Sequence, residues 1–243
     1  MLEEPDPEEK EENATANLQR EEKVVTDSLY HAVIQSQLDL EQNGQFNVQL
    51  SGTTLTSTFF SGNQLFAANC GDSRCILISV DAVSKNQVRI KQLTTDHKPE
   101  HAEESKRVLA KGGRVAQAQD QRGRFSGPQR VWLKNVNSPG LAMSRSLGDC
   151  VAHSVGCSCE PEVTHTVLTP DDKIVLLASD GVWEFLSNQQ VASIVLPYFA
   201  KDAPEAAANA LVSVALSQWK KQSQSIDDIT VVIIFLNVDM SAQ

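Results

Sequence analysis

The spacing of apolar residues divides the chain into helical and extended stretches. After residue 22, apolar side chains such as Leu29, Val33 and Leu38 recur every three or four positions, and Asn43-Gly44 follows as a helix end. This pattern predicts an amphipathic helix over 24–42. The same spacing predicts further helices over 101–110, 188–199 and 204–219.

Short runs rich in β-branched and aromatic residues predict strands between these helices. The turns that separate the first runs are short, which favours an antiparallel meander there. Strand runs mixed with long helices favour an α+β fold over alternating βαβ units. The predicted strands cover 53–60, 64–69, 74–80, 88–93, 163–168, 173–178 and 229–238, with short strands near 115 and over 130–133.

The formal net charge of −10 over 243 residues is unevenly distributed. Residues 1–22 contain nine acidic and two basic residues, a charge of −7, so the rest of the chain carries −3. We therefore expect an acidic disordered tail over 1–22. A folded domain is expected over 23–239, and a short C-terminal tail over 240–243.

Charge and hydropathy also narrow the partners and the location. No basic stripe of the kind that binds nucleic acid is evident, and no window holds the roughly 18 apolar residues of a membrane helix. The first residues, MLEEPDPEEKEEN, are the opposite of a signal peptide. We expect a monomeric cytoplasmic or nuclear protein without a nucleic-acid or membrane partner.

Three acidic turns adjoin apolar strands and are candidates for chemistry. They contain Asp72, Asp180 and the pair Asp227-Asp228. If the strands are neighbours, the carboxylates converge at one rim of a sheet, where they need a cation or a shared proton. Oxygen ligands favour Mg²⁺, Mn²⁺ or Ca²⁺ over zinc. Asp180-Gly181 is also a common turn dipeptide, so a purely structural role stays open.

A more specific signal comes from seven stretches that occur in order between Ser51 and Leu236. Together they resemble the type 2C metal-dependent protein serine/threonine phosphatases, the PPM family. The resemblance implies a sandwich of two antiparallel β-sheets flanked by helices. It also implies hydrolysis of phosphoserine and phosphothreonine in phosphoprotein substrates by a water bound to two Mn²⁺ or Mg²⁺ ions. The stretches are SGTTLTSTFF, LFAANCGDSRCIL, LTTDHKPEHAEESKRVLAKGGRV, GLAMSRSLGD, EPEV, IVLLASDGVWEFLSNQQV and DDITVVII.

The resemblance assigns roles to individual residues. Asp180 and Asp227 match metal-binding aspartates, and Asp72 matches an acid of a weaker third metal site, near which Glu184 stands. Asp228, where the family often has asparagine, is expected to orient its neighbours.

Two further residues are candidates for supporting roles. Asp149 ends the stretch before the region that corresponds to the substrate flap. Arg145 is a candidate for phosphate contact, although a bond to a carboxylate or to backbone carbonyls is the alternative. His97 is expected to be a structural hydrogen-bonding residue rather than a catalytic one.

The sequence lacks the N-terminal motif of the family that it resembles. There is no Asp-Gly-His anywhere in the chain, so the aspartate that bridges both metals and the general-acid histidine have no counterpart, and no catalytic residue is assigned. We therefore expect an N-terminally incomplete sandwich that lacks about four strands. One weak Mn²⁺ or Mg²⁺ site is expected in place of two, with weak or no activity of this chain alone.

Three functional hypotheses remain open at this point. The first is a protein phosphatase polypeptide that represents part of an active enzyme. The second is a pseudophosphatase that binds phosphoproteins or regulates a partner without catalysis. The third is an unrelated carboxylate-metal hydrolase, which requires the seven ordered stretches to be coincidental.

Overall fold

The computed structural model describes residues 7–81, 87–120 and 122–238, with side chains from residue 18 onward. The helices are α1 (Pro7–Gln42), α2 (Ala102–Ala110), α3 (Cys150–His153), α4 (Asp180–Trp183), α5 (Asn188–Phe199) and α6 (Pro204–Gln222). The strands are β1 (Gly52–Thr53), β2 (Leu55–Ser61), β3 (Gln64–Cys70), β4 (Arg74–Val80), β5 (Val88–Gln92), β6 (Arg114–Gln119), β7 (Phe125–Trp132), β8 (Pro139–Leu141), β9 (Leu147–Gly148), β10 (Glu162–Val167), β11 (Asp172–Ala178) and β12 (Val231–Phe235).

Two antiparallel sheets form the centre of the molecule. One has the strand order β10-β3-β2 and the other β12-β11-β4-β5. Their facing sides bury alternate side chains, so that Leu65 and Ala67 of the first sheet pack with Cys75, Leu77 and Leu177 of the second. The predicted α+β class and the two-sheet sandwich are confirmed.

Helices cover the outer face of each sheet. On the four-stranded sheet, Ile76 and Ile174 pack with Val191 of α5 and Leu211 of α6. On the three-stranded sheet, α1 packs against β3 and β10. None of the helices in the described part of the chain has both the length and the apolarity needed to cross a bilayer.

Smaller sheets extend the sandwich at its sides. Strands β6, β7 and β8 form a three-stranded antiparallel sheet, and the short strands β1 and β9 pair with each other. A cluster around Val108 and Val131 packs α2 beneath the first of these sheets.

The predicted meander is wrong, because β3 and β4 belong to different sheets. Strand β3 pairs with β2 and β10, whereas β4 pairs with β5 and β11. The link between them passes through Gly71, whose φ of 118° is in the left-handed region that favours glycine. Both strands are buried almost throughout, so their apolar pattern would be the same in either sheet. A short turn between two such strands does not show whether they pair with each other.

The first helix is longer than its predicted range. It begins at Pro7, so residues 7–22, which were expected to be a disordered tail, are helical. Proline is common at the first helical position, and this stretch is rich in Glu, which is a good helix former. Residues 1–6 of the expected tail and the C-terminal tail expected over 240–243 lie outside the described residues, and the domain boundaries stay predictions.

Candidate metal centre

The strand pairing brings the three acidic turns to one rim of the sandwich. Ala178, the last residue of β11, pairs with Val231 at the start of β12 and with Arg74 at the start of β4. Residues that follow β11 or precede β12 and β4 therefore meet at this rim. These residues include Asp180, Asp227, Asp228 and Asp72.

Hydrogen bonds fix the chain that carries Asp180 against the segment that carries Asp228. The Ser179 backbone N–H donates to the carbonyl oxygen of Thr230 at 3.1 Å, and the Thr230 N–H donates to Ser179 Oγ at 3.1 Å. Ser179 Oγ donates to the Asp228 carbonyl oxygen at 3.1 Å. Asp180 then starts the single-turn helix α4 with its carboxylate half-buried.

Gly181 is required by a close approach of backbone and not by its own φ. A Cβ at this position would lie 2.3 Å from the carbonyl oxygen of Asp228. Gly181 does not adopt a left-handed φ, so the interpretation of Asp180-Gly181 as a turn that needs glycine for its φ is wrong. The Gly181 carbonyl accepts from Trp219 Nε1 at 2.7 Å, and Trp183 Nε1 donates to Ala178 O at 2.8 Å. The glycine thus lets the two acidic segments meet.

Asp72 is buried, with 2% of its side chain exposed. Its turn is held by His97, whose Nδ1 accepts from the Gly71 N–H at 3.0 Å and whose N–H donates to Gly71 O at 3.0 Å. Burial and the Arg145 charge lower the pKa of His97, against the opposing charges of Glu162 and Glu104, and so favour the neutral ring. The Asp72 carboxylate accepts from Lys98 Nζ at 2.5 Å.

The surroundings of Asp180 at this rim disfavour the ionised form of its carboxyl group. Burial and, after it, the nearby charges of Asp72, Asp227 and Glu184 together raise its pKa from 3.8 to about 6. Lys98 opposes this shift. The rim therefore gathers more negative charge than its neighbouring cation compensates.

The other predicted acids of the rim differ in how they are held. Asp227 is exposed, and its Oδ1 accepts from the Asp228 N–H at 2.8 Å. Asp228 is exposed too, and it helps to hold the rim together through its backbone, because its carbonyl oxygen accepts a hydrogen bond from Ser179 Oγ. Glu184 is exposed at the end of α4.

Arg145 and Asp149 belong to other surroundings. Arg145 donates to Glu104 Oε1 at 2.7 Å, to the Glu160 carbonyl at 2.9 Å and to Glu162 Oε1 at 3.4 Å. This arrangement is the alternative that bonds Arg145 to carboxylates and carbonyls rather than to phosphate. Asp149 is buried at φ 48°, next to Gly52, where a Cβ would lie 2.1 Å from Asp149 Oδ2.

Sequence reasoning missed Lys98. It lies in the quoted stretch LTTDHKPEHAEESKRVLAKGGRV, but a single lysine has no spacing pattern that points to an acidic turn 26 residues earlier. Only the fold brings the two together.

The donors at the rim fit a hard divalent cation in kind but not in number. All are carboxylates, which suit Mg²⁺ and Mn²⁺, and their mutual repulsion is the situation that a bound cation relieves. Within the described residues, however, no group of three or more Asp, Glu, His or Cys side chains is arranged to hold a metal ion. The chain thus offers part of a ligand set.

Comparison with known proteins identifies the family. The family model described as protein phosphatase 2C matches residues 1–223. The chain is 38% identical over 208 residues to "Probable protein phosphatase 2C 12" of Oryza sativa subsp. japonica, covering 85% of this chain and 51% of the relative. It is 41% identical over 192 residues to "Probable protein phosphatase 2C 61" of Arabidopsis thaliana, covering 77% and 55%.

The chain thus spans about half the length of the curated relatives that it matches. Among solved structures, the serine-threonine phosphatase 2C from Toxoplasma gondii superposes with a TM-score of 0.76 at 22% identity, over 88% of this chain and 67% of that one. This likeness establishes the fold. The sequence matches go further, and they show that the chain belongs to the protein phosphatase 2C family.

Proposed function

We propose that this chain forms part of a metal-dependent phosphatase that removes phosphate from phosphoserine and phosphothreonine in proteins, and that it contributes an acidic part of the metal centre. The observation that carries the proposal is the position of Asp180. Its half-buried carboxylate lies at the rim beside Asp72 and Asp227, and burial and these charges raise its pKa to about 6. Like-charged groups in this arrangement are typical of cation sites.

Each residue has a distinct part in the proposed site. Asp180 and Asp227 hold the cation, and Asp72 with Glu184 forms the weaker part of the site, at the place of the third metal that the resemblance implies. Asp228 orients the others through its backbone, because its carbonyl anchors Ser179 and its N–H holds the Asp227 carboxylate. A divalent ion bound here would supply an activated water and neutralise charge on the phosphate oxygens.

We further propose that the chain by itself holds one weak Mn²⁺ or Mg²⁺ site and turns over slowly or not at all. Two observations support this. The chain has no Asp-Gly-His sequence, and its described residues provide no cluster of three metal-binding side chains. The same observations also favour the second candidate, a pseudophosphatase that binds phosphoproteins without hydrolysing them.

Calorimetric titration with Mn²⁺ tests the site, with hydrolysis of a phosphothreonine peptide followed in parallel. We expect one weak binding site that disappears in both Asp180→Ala and Asp227→Ala. Glu103→Ala, which removes an 84% exposed carboxylate on α2, is the matched control and should bind Mn²⁺ as the unmodified chain does.

The two results separate different parts of the proposal. Mn²⁺ binding that persists in Asp180→Ala and Asp227→Ala would refute the assigned ligands. Rapid metal-dependent turnover that is lost in Asp180→Ala would instead show that the chain completes its site with a further acid, and it would exclude the pseudophosphatase.

A further inference from the structure

The partner of Asp72 is the least expected feature of the acidic rim. A buried carboxylate is costly unless it is paired, and Asp72 exposes 2% of its side chain. Lys98 Nζ meets it at 2.5 Å and is itself only 23% exposed. The ammonium is therefore the cation that compensates the Asp72 carboxylate in this structure.

Lys98 is held in this place by backbone hydrogen bonds of its own N–H and of the residue before it. The preceding His97 is locked to the Asp72 turn by two hydrogen bonds with Gly71, and its carbonyl accepts from the Ser144 N–H at 2.9 Å. The Lys98 N–H donates to Asp96 O at 3.1 Å. The lysine side chain is thus directed at Asp72 from a fixed base.

Asp96 is in turn fixed by Arg74 at the start of β4. Arg74 Nε and Nη2 donate to the two carboxylate oxygens of Asp96 at 2.9 and 2.7 Å. Arg74 also stacks over Trp183 of α4, 4.8 Å from the ring centroid, so the element that carries Lys98 is tied to the element that begins with Asp180. This explains why Lys98 interacts electrostatically with both Asp72 and Asp180.

We propose that Lys98 is a built-in cation of the metal centre: it neutralises Asp72 when no metal is bound, and it competes with a divalent ion for the Asp72 carboxylate. The inference rests on the proposed function, in which Asp72 belongs to the weaker part of the site. It adds a residue that sets metal affinity without being a ligand. Any ion that uses Asp72 must displace the Lys98 ammonium or share the carboxylate with it, so the lysine lowers metal affinity and stabilises the metal-free fold.

The test compares Mn²⁺ binding in Lys98→Met and in the unmodified chain by calorimetry. Methionine keeps most of the unbranched side chain and removes the ammonium group with its charge. We expect Mn²⁺ to bind about tenfold more tightly in Lys98→Met, a typical coupling between two linked sites. In EDTA the variant should melt at a lower temperature, because Asp72 is then buried without its partner.

Two further variants keep the test decisive. Lys98→Gln removes the charge but retains a hydrogen-bond donor for Asp72, and it should also tighten Mn²⁺ binding. It replaces Lys98→Met in the test if that variant proves too unstable to study. Lys106→Met, which removes a 77% exposed lysine on α2, should leave both Mn²⁺ affinity and melting temperature unchanged.

The action through Asp72 is tested in a double-mutant cycle. In the Asp72→Asn background, Lys98→Met should no longer tighten Mn²⁺ binding, since the carboxylate for which lysine and metal compete is gone. Tighter binding that persists without Asp72 would overturn the proposal. So would unchanged or weaker binding in Lys98→Met and Lys98→Gln, which would leave Lys98 as a structural ion pair.

These results are distinguishable from failure of the metal centre itself. Mn²⁺ binding that survives Asp180→Ala would refute the proposed ligand set, whereas binding that is lost in Asp180→Ala but not tightened by Lys98→Met would refute the role of Lys98 alone. Tightening that depends on Asp72 supports the role of Lys98 in either case.

Discussion

Two acidic clusters in this molecule differ in how completely their charge is compensated. The first surrounds Glu104 on α2, whose side chain is 6% exposed. Arg107 donates to both of its carboxylate oxygens at 2.8 and 2.7 Å, and Arg145 and Ser144 donate to it as well. Burial alone would raise the pKa of Glu104, but these hydrogen bonds hold it well below the usual range.

The second cluster is the acidic rim, where burial and charge act in the same direction. Burial raises the pKa of Asp180, and Asp72 and Asp227 raise it further, against the opposing charge of Lys98. Both clusters contain buried carboxylates, so burial does not distinguish them. The clusters differ in the number of hydrogen-bond donors per carboxylate. A carboxylate with all its hydrogen bonds made stabilises the fold, whereas a group of carboxylates with few donors is suited to binding an added cation.

The largest expected effect comes from breaking the compensated cluster. Glu104→Gln removes the charge between Arg107 and Arg145 and leaves both guanidinium groups without their carboxylate. We expect a loss of about 4 kcal/mol in the free energy of unfolding, measured by urea denaturation. Glu103→Gln, on the exposed side of the same helix, should stay within about 0.5 kcal/mol of the unmodified protein, and a comparable loss in both would contradict the distinction.

Arg145→Met tests whether Arg145 belongs to the Glu104 cluster or to the metal centre. We expect a stability loss of about 2 kcal/mol, because charged hydrogen bonds to Glu104 and the Glu160 carbonyl are removed. The loss should not add to that of Glu104→Gln, and Mn²⁺ affinity should not change. A selective fall in Mn²⁺ affinity at unchanged stability would place Arg145 in the site after all.

Gly181→Ala tests the contact that holds the rim together. The added Cβ would lie 2.3 Å from Asp228 O, so the two acidic segments must separate. We expect a loss of about 1.5 kcal/mol together with weaker Mn²⁺ binding. The control Gly62→Ala has open space but a φ of +56°, and it should lower stability through backbone strain while leaving Mn²⁺ binding intact.

Asp180→Asn should have the smallest effect and the opposite sign. Folding raises the pKa of Asp180 from 3.8 to about 6, so the folded protein binds this proton more tightly than the unfolded one. The free energy of unfolding therefore decreases as the pH rises through this range. In EDTA at neutral pH the variant should be more stable by about 1 kcal/mol, a value discounted for the partial exposure of the group.

The pH dependence supplies the control for that sign. The advantage of Asp180→Asn should fade as the pH falls below 3.8, where the carboxyl group becomes protonated in the unfolded as well as the folded protein. Urea unfolding at acidic and neutral pH measures it. An advantage that is independent of pH would point to packing instead of charge.

The sequence predicted those elements whose pattern is local. The bounds of β4 and α5 agree with the predicted ranges 74–80 and 188–199, because an apolar run between turns and a Ser187 capping box are readable from neighbouring residues. The convergence of Asp72, Asp180 and Asp227 also followed from strand ends. Their roles as ligands stay predictions.

Non-local features could not be read in this way. The exchange of sheets between β3 and β4 depends on which strands pair over long separations, and the pattern of a buried strand is the same in either sheet. The ion pair of Lys98 with Asp72 and the contact of Gly181 with Asp228 likewise join residues that are far apart in the sequence. Each depends on the finished fold.

The most direct test of the account is the stability of Asp180→Asn relative to the unmodified protein, measured by urea unfolding first in EDTA and then in saturating Mn²⁺. We expect the order of stability to reverse between the two conditions. Asp180→Asn is the more stable in EDTA, and the unmodified protein gains about 2.7 kcal/mol at Mn²⁺ about a hundredfold above its Kd and overtakes it. An equal gain in both proteins would contradict the claim that the under-compensated acids of this rim hold the metal.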